Sequence, residues 1–309
     1  MTELDRIQRL VARFGAKNDR LIVGSGDDAA AVRVRGGVTV TSVDAVVDRV
    51  HFDLETWPLE AVGHKAVAAA LSDIAAMGAE PGEIYVAAGI PRALDENAFD
   101  ALCDGIARGA YGAAIAGGDL TSADQLWLSV AVVGYAADED AIVTRAGAKP
   151  GDAIVVTGTL GGSRRALELI AEGASPEDPR LQKQFAPEPR FAAGAALAAH
   201  GASAMIDISD GLARDAGHIG DASAAKLTIE LAKLPLAEGV NDAKFAGASG
   251  EEYELLATLP ADKLAQAQAV VAESGVALTE IGRVEEGAGA ELQGTNGEAV
   301  AVRGFDHFD

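Results

Sequence analysis

Ala153-Ile-Val-Val-Thr157-Gly-Thr-Leu-Gly-Gly-Ser163-Arg-Arg-Ala-Leu-Glu-Leu-Ile-Ala-Glu172 carries the pattern that decides the fold. An apolar run of β type over 153–157 reaches a glycine-rich turn, and a helix-forming stretch follows over 163–172. The same alternation continues downstream: a helix over 189–200, a strand over 204–208, a helix begun at Gly211, strands near 227–231 and 253–258, a helix over 261–274 and a terminal group of strands. Upstream, Ile7, Leu10, Val11 and Phe14 mark a short amphipathic helix, and β-type runs follow at 21–23, 30–34 and 38–42. A long helix over 58–77 opens with Pro58 and closes at Gly78. A strand over 84–88, a helix over 95–111 and strands over 113–116 and 126–135 complete the first half. Alternating helices and strands predict a mixed α/β (α+β) layer architecture. Asp138-Glu-Asp140 and the turn cluster over 147–151 set a boundary between domains at 1–140 and 141–309.

The length of 309 residues agrees with two domains. Hydrophobic residues make up 49% and aromatics only 5%, so the core is aliphatic and alanine-rich, and a disordered chain is excluded. With 25 Lys and Arg against 47 Asp and Glu, the formal charge is −22, which argues against nucleic acid or an anionic membrane as partner. Cys103 is the single cysteine, so neither an internal disulfide nor a cysteine zinc site is expected. The first residues lack the apolar segment of a signal peptide, and the longest uncharged run, 191–206, is too short for a membrane helix. A cytoplasmic protein is the expectation.

Chemistry is concentrated in aspartates beside glycines or hydroxyls where apolar runs end. They occur in Gly26-Asp27-Asp28, Ser42-Val43-Asp44, Leu71-Ser72-Asp73, Gly117-Gly118-Asp119 and Asp207-Ile208-Ser209-Asp210-Gly211. Clustered carboxylates repel unless a cation neutralises them, and an all-oxygen donor set favours Mg²⁺. Mg²⁺ in turn suits phosphate chemistry. Gly24-Ser-Gly26-Asp27-Asp28-Ala29 mimics a dinucleotide-binding turn, but its two carboxylates would face the pyrophosphate and a strand follows where a helix is required. Thr157-Gly-Thr-Leu-Gly-Gly-Ser163 offers either backbone N–H groups for phosphate or an ordinary tight turn with Ser163 as helix cap; it lacks the Gly-Lys-Ser/Thr of a P-loop. The five histidines, at 51, 64, 200, 218 and 307, have no zinc-ligand spacing. No serine has a nucleophile-elbow setting, and no protein-kinase motif set is present.

Taken in order, these segments resemble the thiamine-monophosphate kinase family of the aminoimidazole-ribonucleotide-synthase-like superfamily. The resemblance runs through Gly24-Ser-Gly-Asp-Asp-Ala, Asp44 with His51-Phe52, Leu71-Ser-Asp-Ile-Ala-Ala-Met-Gly-Ala79, Gly117-Gly-Asp119 and Thr144-Arg-Ala-Gly-Ala-Lys-Pro-Gly-Asp152. It continues in Thr157-Gly-Thr-Leu-Gly161, Asp207-Ile-Ser-Asp-Gly-Leu212, Gly250-Glu-Glu-Tyr-Glu-Leu255 and Gly304-Phe-Asp-His-Phe308. It implies ATP-dependent phosphorylation of thiamine monophosphate to thiamine diphosphate, with several Mg²⁺ ions and ATP as co-substrate. It also implies a two-domain synthase-like fold, a homodimer whose N-terminal domains (1–140, binding metal and ATP) pair into a β-barrel, and a C-terminal α/β sandwich (141–309) that completes the active site. By position, Asp28, Ser42, Asp44, Asp73, Asp119 and Asp207 match Mg²⁺ ligands, with Asp210 as a further one. Gly118, Asp119, Arg145 and Ser209 match ATP contacts; His51, Glu251 and Phe305 match substrate contacts.

An acceptor that is itself a phosphate is already anionic, so no general base or covalent nucleophile is expected, and transfer is direct and in line. Five positions depart from the family. Val43 replaces a hydroxyl residue, leaving only its backbone carbonyl as a ligand, and Ala70 replaces an asparagine. Ala186-Pro-Glu-Pro-Arg190 lacks the first arginine, and Ser249-Gly-Glu-Glu252 stands for Gly-Gly-Glu-Asp. None removes a metal aspartate. The alternatives are an amide-activating ATP enzyme of the same superfamily and a non-catalytic Mg-nucleotide binding protein. Against the former, the chain lacks the C-terminal cysteine tail and the N-terminal cysteine of two such relatives.

Overall fold

A computed structural model describes residues 3–14, 21–23, 31–34 and 36–305. Asp28 with its glycine turn, and the terminal Asp306-His-Phe308, lie outside the described residues. The chain forms two compact units: one takes 80–137, 185–188 and the residues up to 74, and the other takes 75–79, 138–184 and the residues from 189.

The first unit contains α1 (Glu3–Phe14), β1 (Leu21–Val23), β2 (Ala31–Val32), β3 (Val38–Val47), α2 (Leu59–Ala76), β4 (Glu80–Pro91), α3 (Glu96–Arg108), β5 (Ala114–Ala123) and β6 (Trp127–Ala136). Its main sheet has the order β3-β6-β4-β5; β4 and β5 are parallel, joined by α3, and the other pairs are antiparallel. Leu128, Val130 and Val132 alternate onto one buried face of β6 beside Ile84 of β4. Alanines Ala66 and Ala68 to Ala70 bury α2 without bulk. A Cβ at Gly105 of α3 would stand 2.0 Å from the Glu60 carbonyl oxygen, and one at Gly63 of α2 would stand 2.3 Å from the Leu102 carbonyl oxygen. The scarcity of aromatics therefore corresponds to helices packed at backbone contact.

In the second unit come β7 (Ala153–Thr157), α4 (Gly162–Ala171), α5 (Gln182–Phe185, whose last residue belongs to the first unit), α6 (Phe191–Ala199), β8 (Ala204–Asp207), α7 (Leu212–Ser223), β9 (Ala225–Glu230), α8 (Ala243–Gly247), β10 (Leu255–Leu259), α9 (Leu264–Ala272), β11 (Leu278–Glu286), β12 (Ala290–Gln293) and β13 (Ala299–Val300). The sheet order is β13-β12-β9-β11-β7-β10-β8, antiparallel apart from the β12–β9 pair. Ile154, Val156, Ile206 and Leu256 join one core with Leu212 and Ile219 of α7, while Val155, Met205 and Leu255 join another with Leu197 of α6 and Val271 of α9. Burial on both faces explains why β7 reads as a continuous apolar run rather than an alternating one.

The strands expected over 38–42 and 113–116 extend to Val47 and Ala123. In β5 the apolar run stops because the later part of the strand is largely exposed; in β3 the residues beyond 42 stay mostly apolar, and Asp44 alone breaks the run. Asp44 and Asp119 consequently lie inside strands instead of at their ends.

Candidate functional site

On β3, Ser42 and Asp44 are two residues apart and leave the same face of the strand. Asp73, in the last turn of α2, accepts a 2.5 Å hydrogen bond from the Ser42 hydroxyl. This places three oxygen-bearing side chains, all half-buried, on one side of the sheet, a donor set suited to a hard cation. Val43 points the other way and is 65% exposed. Because β3 is an edge strand, the carbonyls that do not face β6 point outward. His51 follows in the turn after β3, where its Nδ1 accepts the Val47 N–H at 3.1 Å, so the neutral ring carries its proton on Nε2. Gly118 and Asp119 lie on β5, the opposite edge. Asp44 shares a row with Val130, Val86 and Gly118, whereas Asp119 shares the next row with Ala87, Ser129 and Ala45. Three strand spacings separate Asp44 from Asp119, roughly 14 Å.

In the second unit the loop after β8 gathers Asp207, Ser209 and Asp210. Asp215, in the first turn of α7, accepts the N–H groups of Ser209, Asp210 and Gly211 on a single oxygen at 3.1, 3.1 and 3.0 Å. Burial, reinforced by the charges of Asp207 and Asp210, raises the Asp215 carboxyl to about 8. Glu251 donates its backbone N–H to the Ser209 carbonyl at 2.7 Å, and Phe305 donates its own to the Asp210 carbonyl at 2.8 Å. Asp207, Ser209, Asp210, Glu251 and Phe305 are thus brought to one loop, with the Phe305 side chain 52% exposed. Arg145 is not: it lies exposed beside the first strand residues of β8, next to Thr144, whose carbonyl accepts the Met205 N–H. Asp210, Asp215 and His218 offer ligand atoms within 4.8 Å of one another. Sequence reasoning missed Asp215 and His218; their i, i+3 spacing on a helix was the available signal.

The glycine-rich turn before α4 holds a carboxylate of its own chain. Glu252 Oε1 accepts the Gly161 N–H at 2.8 Å, the Ser163 N–H at 3.2 Å and the Ser249 hydroxyl at 2.5 Å. Those amides are therefore engaged, and the phosphate-cradle alternative for this loop falls away. Gly161, at φ 90°, is the residue before the helix, so Ser163 sits inside α4 rather than capping it. Burial pushes the Glu252 carboxyl up to about 7. Glu254 is equally buried, which alone would raise it, but Lys183 and Arg190 hold it below the ordinary glutamate value. Arg190 binds it through two nitrogens at 2.8 and 2.7 Å, and Thr157 donates at 2.7 Å. The Gln184 amide donates to Glu251 Oε2 at 2.6 Å and accepts from the Ser163 hydroxyl at 2.6 Å.

Among the described residues no helix is long and apolar enough to cross a membrane. Residues 26–136 match the AIR synthase related protein, N-terminal domain, and residues 149–295 match its C-terminal domain. The thiamine-monophosphate kinase of Halobacterium salinarum is 36% identical across 93% of this chain and 96% of its own length. The crystal structure of thiamine-monophosphate kinase from Stenotrophomonas maltophilia K279a is 33% identical, covers 97% of this chain and 98% of its own, and superposes with a TM-score of 0.85. AaThiL complexed with AMPPCP and TMP is 30% identical, covers 99% of this chain and 97% of its own, and has a TM-score of 0.79.

Proposed function

The chain belongs to the thiamine-monophosphate kinase family, and from that membership we infer that it transfers the γ-phosphoryl group of ATP to thiamine monophosphate, giving thiamine diphosphate and ADP. The observation that carries this reading is likeness to such kinases over more than nine-tenths of the chain. The site chemistry agrees. Its acidic side chains offer oxygen donors, and the acceptor phosphate needs no base to become a nucleophile. We assign Ser42, Asp44 and Asp73, together with Asp28, the Val43 carbonyl, Asp119, Asp207 and Asp210, to holding Mg²⁺. Bound there, the ions would screen two polyphosphates that repel each other on approach. Gly118, Asp119, Arg145 and Ser209 are assigned to ATP, and His51, Glu251 and Phe305 to thiamine monophosphate. Residues 1–140 carry metal and ATP binding and dimer pairing; residues 141–309 carry further metal and substrate contacts. Transfer is direct and in line, with no phosphoenzyme, and the cytoplasm, where ATP is held, is where we place it.

We further infer a homodimer in which the open edges of the first unit's main sheet pair. Asp44 and Asp119 occupy opposite edges of one sheet and adjacent rows, so their side chains leave opposite faces and the two are assigned to different ions. Two such sheets closed edge to edge would bring β3 of each copy beside β5 of the other. The function is tested by following thiamine diphosphate and ADP together from thiamine monophosphate and Mg-ATP, with free thiamine as control. Equal amounts of both products, abolished by EDTA, are expected. Tight Mg-ATP binding without thiamine diphosphate would overturn the kinase reading in favour of the amide-activating relatives.

A further inference from the structure

We propose that Gln184 is a positioning residue for Glu251, fixing the plane in which that carboxylate meets thiamine monophosphate; the proposal rests on the functional reading above. Gln184 is fully buried, and a buried amide is costly unless its groups are bonded. An apolar side chain of similar volume would fill the same space without that cost, so the hydrogen bonds are the reason for an amide here. Glu251 accepts and cannot donate when ionised, so the NH₂ group must face it. The amide oxygen then faces the Ser163 hydroxyl, which donates to it at 2.6 Å, and only this orientation satisfies both neighbours. Ser163 is itself held, buried in α4 with its N–H on Glu252.

Glu251 is therefore fixed from two sides. Its backbone is in the left-handed region at φ 56°, tied to the Ser209 carbonyl, and its side chain is tied to Gln184. A left-handed non-glycine residue persists only where its surroundings over-determine it. The ligand chemistry matches a fixed carboxylate: thiamine monophosphate presents a cationic thiazolium and an aminopyrimidine with N–H donors, both complementary to a negative charge. Nothing in this role touches ATP, which separates it from a general structural role.

Steady-state kinetics of the full-length chain test the proposal, with wild-type turnover established first. Gln184→Met should raise KM for thiamine monophosphate by about tenfold or more, the scale of one hydrogen bond to a charged group. KM for ATP should stay within about twofold. The Gln184→Met effect should disappear in a Glu251→Ala background, where the amide has no side-chain acceptor at 251, because the two residues act as one unit. If Gln184→Met does not fold, Ser163→Ala, which frees the amide to rotate, should give the same selective rise at smaller size. A KM for thiamine monophosphate that is unchanged, or that rises together with KM for ATP, overturns the positioning role while leaving the kinase standing. Absence of thiamine diphosphate from the wild-type chain overturns the functional reading, and the proposal with it.

Discussion

Glu252 gathers three donors on one carboxylate oxygen, while its second oxygen, buried, has no hydrogen-bond partner and lies 4.0 Å from Lys183 Nζ. Burial dominates, and the group titrates near 7 instead of the ordinary 4.5. A raised carboxyl favours folding in its protonated form. The stability it contributes is complete below about pH 4.5 and is lost as pH rises through about 7, on the order of 3 kcal/mol in all. Glu252→Gln should therefore flatten the dependence of Tm on pH between those limits; an unchanged slope would show that Glu252 is ionised throughout. This residue also marks a limit of the sequence. The glycine turn over 157–163 is legible, but its occupant comes from about ninety positions further along the chain, and no local pattern encodes that meeting. Asp73 and Ser42, by contrast, each stood out beside their own glycine or hydroxyl neighbours, and the structure joins them.

Elements were legible where both faces are buried and less so where one face is bare. The run over 153–157 coincides with β7, because every residue in it is enclosed. The apolar signal marks half of β3 and less than half of β5: Asp44 interrupts the first, and the largely exposed remainder of the second carries glycine, aspartate, threonine and serine. Helix packing adds something that composition only hints at. Gly105 lies so close to α2 that a methyl group there must displace the backbone, whereas a Cβ at Gly217 in α7 meets nothing within 4 Å. Gly105→Ala should destabilise the protein by about 1–3 kcal/mol or more. Gly217→Ala, in a helix interior with open space, should stabilise by about 0.5–1 kcal/mol. Denaturant unfolding of both variants measures the contrast. Equal effects of the two would mean that the α2–α3 contact gives way without cost.

At the scale of the whole molecule, the open edges of the four-stranded sheet bear on the proposed site and the proposed homodimer together. Its edge strands hold Asp44 and Asp119, and the register sets these on adjacent rows with two strands between them. A cation that binds oxygen at about 2.1 Å cannot span roughly 14 Å, and side chains in adjacent rows leave opposite faces, so the two carboxylates serve different ions. In the homodimer proposed above, β3 of one protomer would adjoin β5 of its partner, so one active site would hold its different ions on carboxylates of both chains. Asp44→Asn and Asp119→Asn should each abolish turnover alone. Mixed dimers of the two variants would carry one site with both defects and one with neither. Co-expression should therefore recover about a quarter of wild-type activity, half of the dimers being mixed and each of those half active. The dimers must be shown to be mixed, by differential tags on the two variants and a mass consistent with two chains. Recovery under those conditions would mean that each protomer completes its neighbour's active site. Mixed dimers without activity would return both carboxylates, at their two distinct metal positions, to the active site of a single chain.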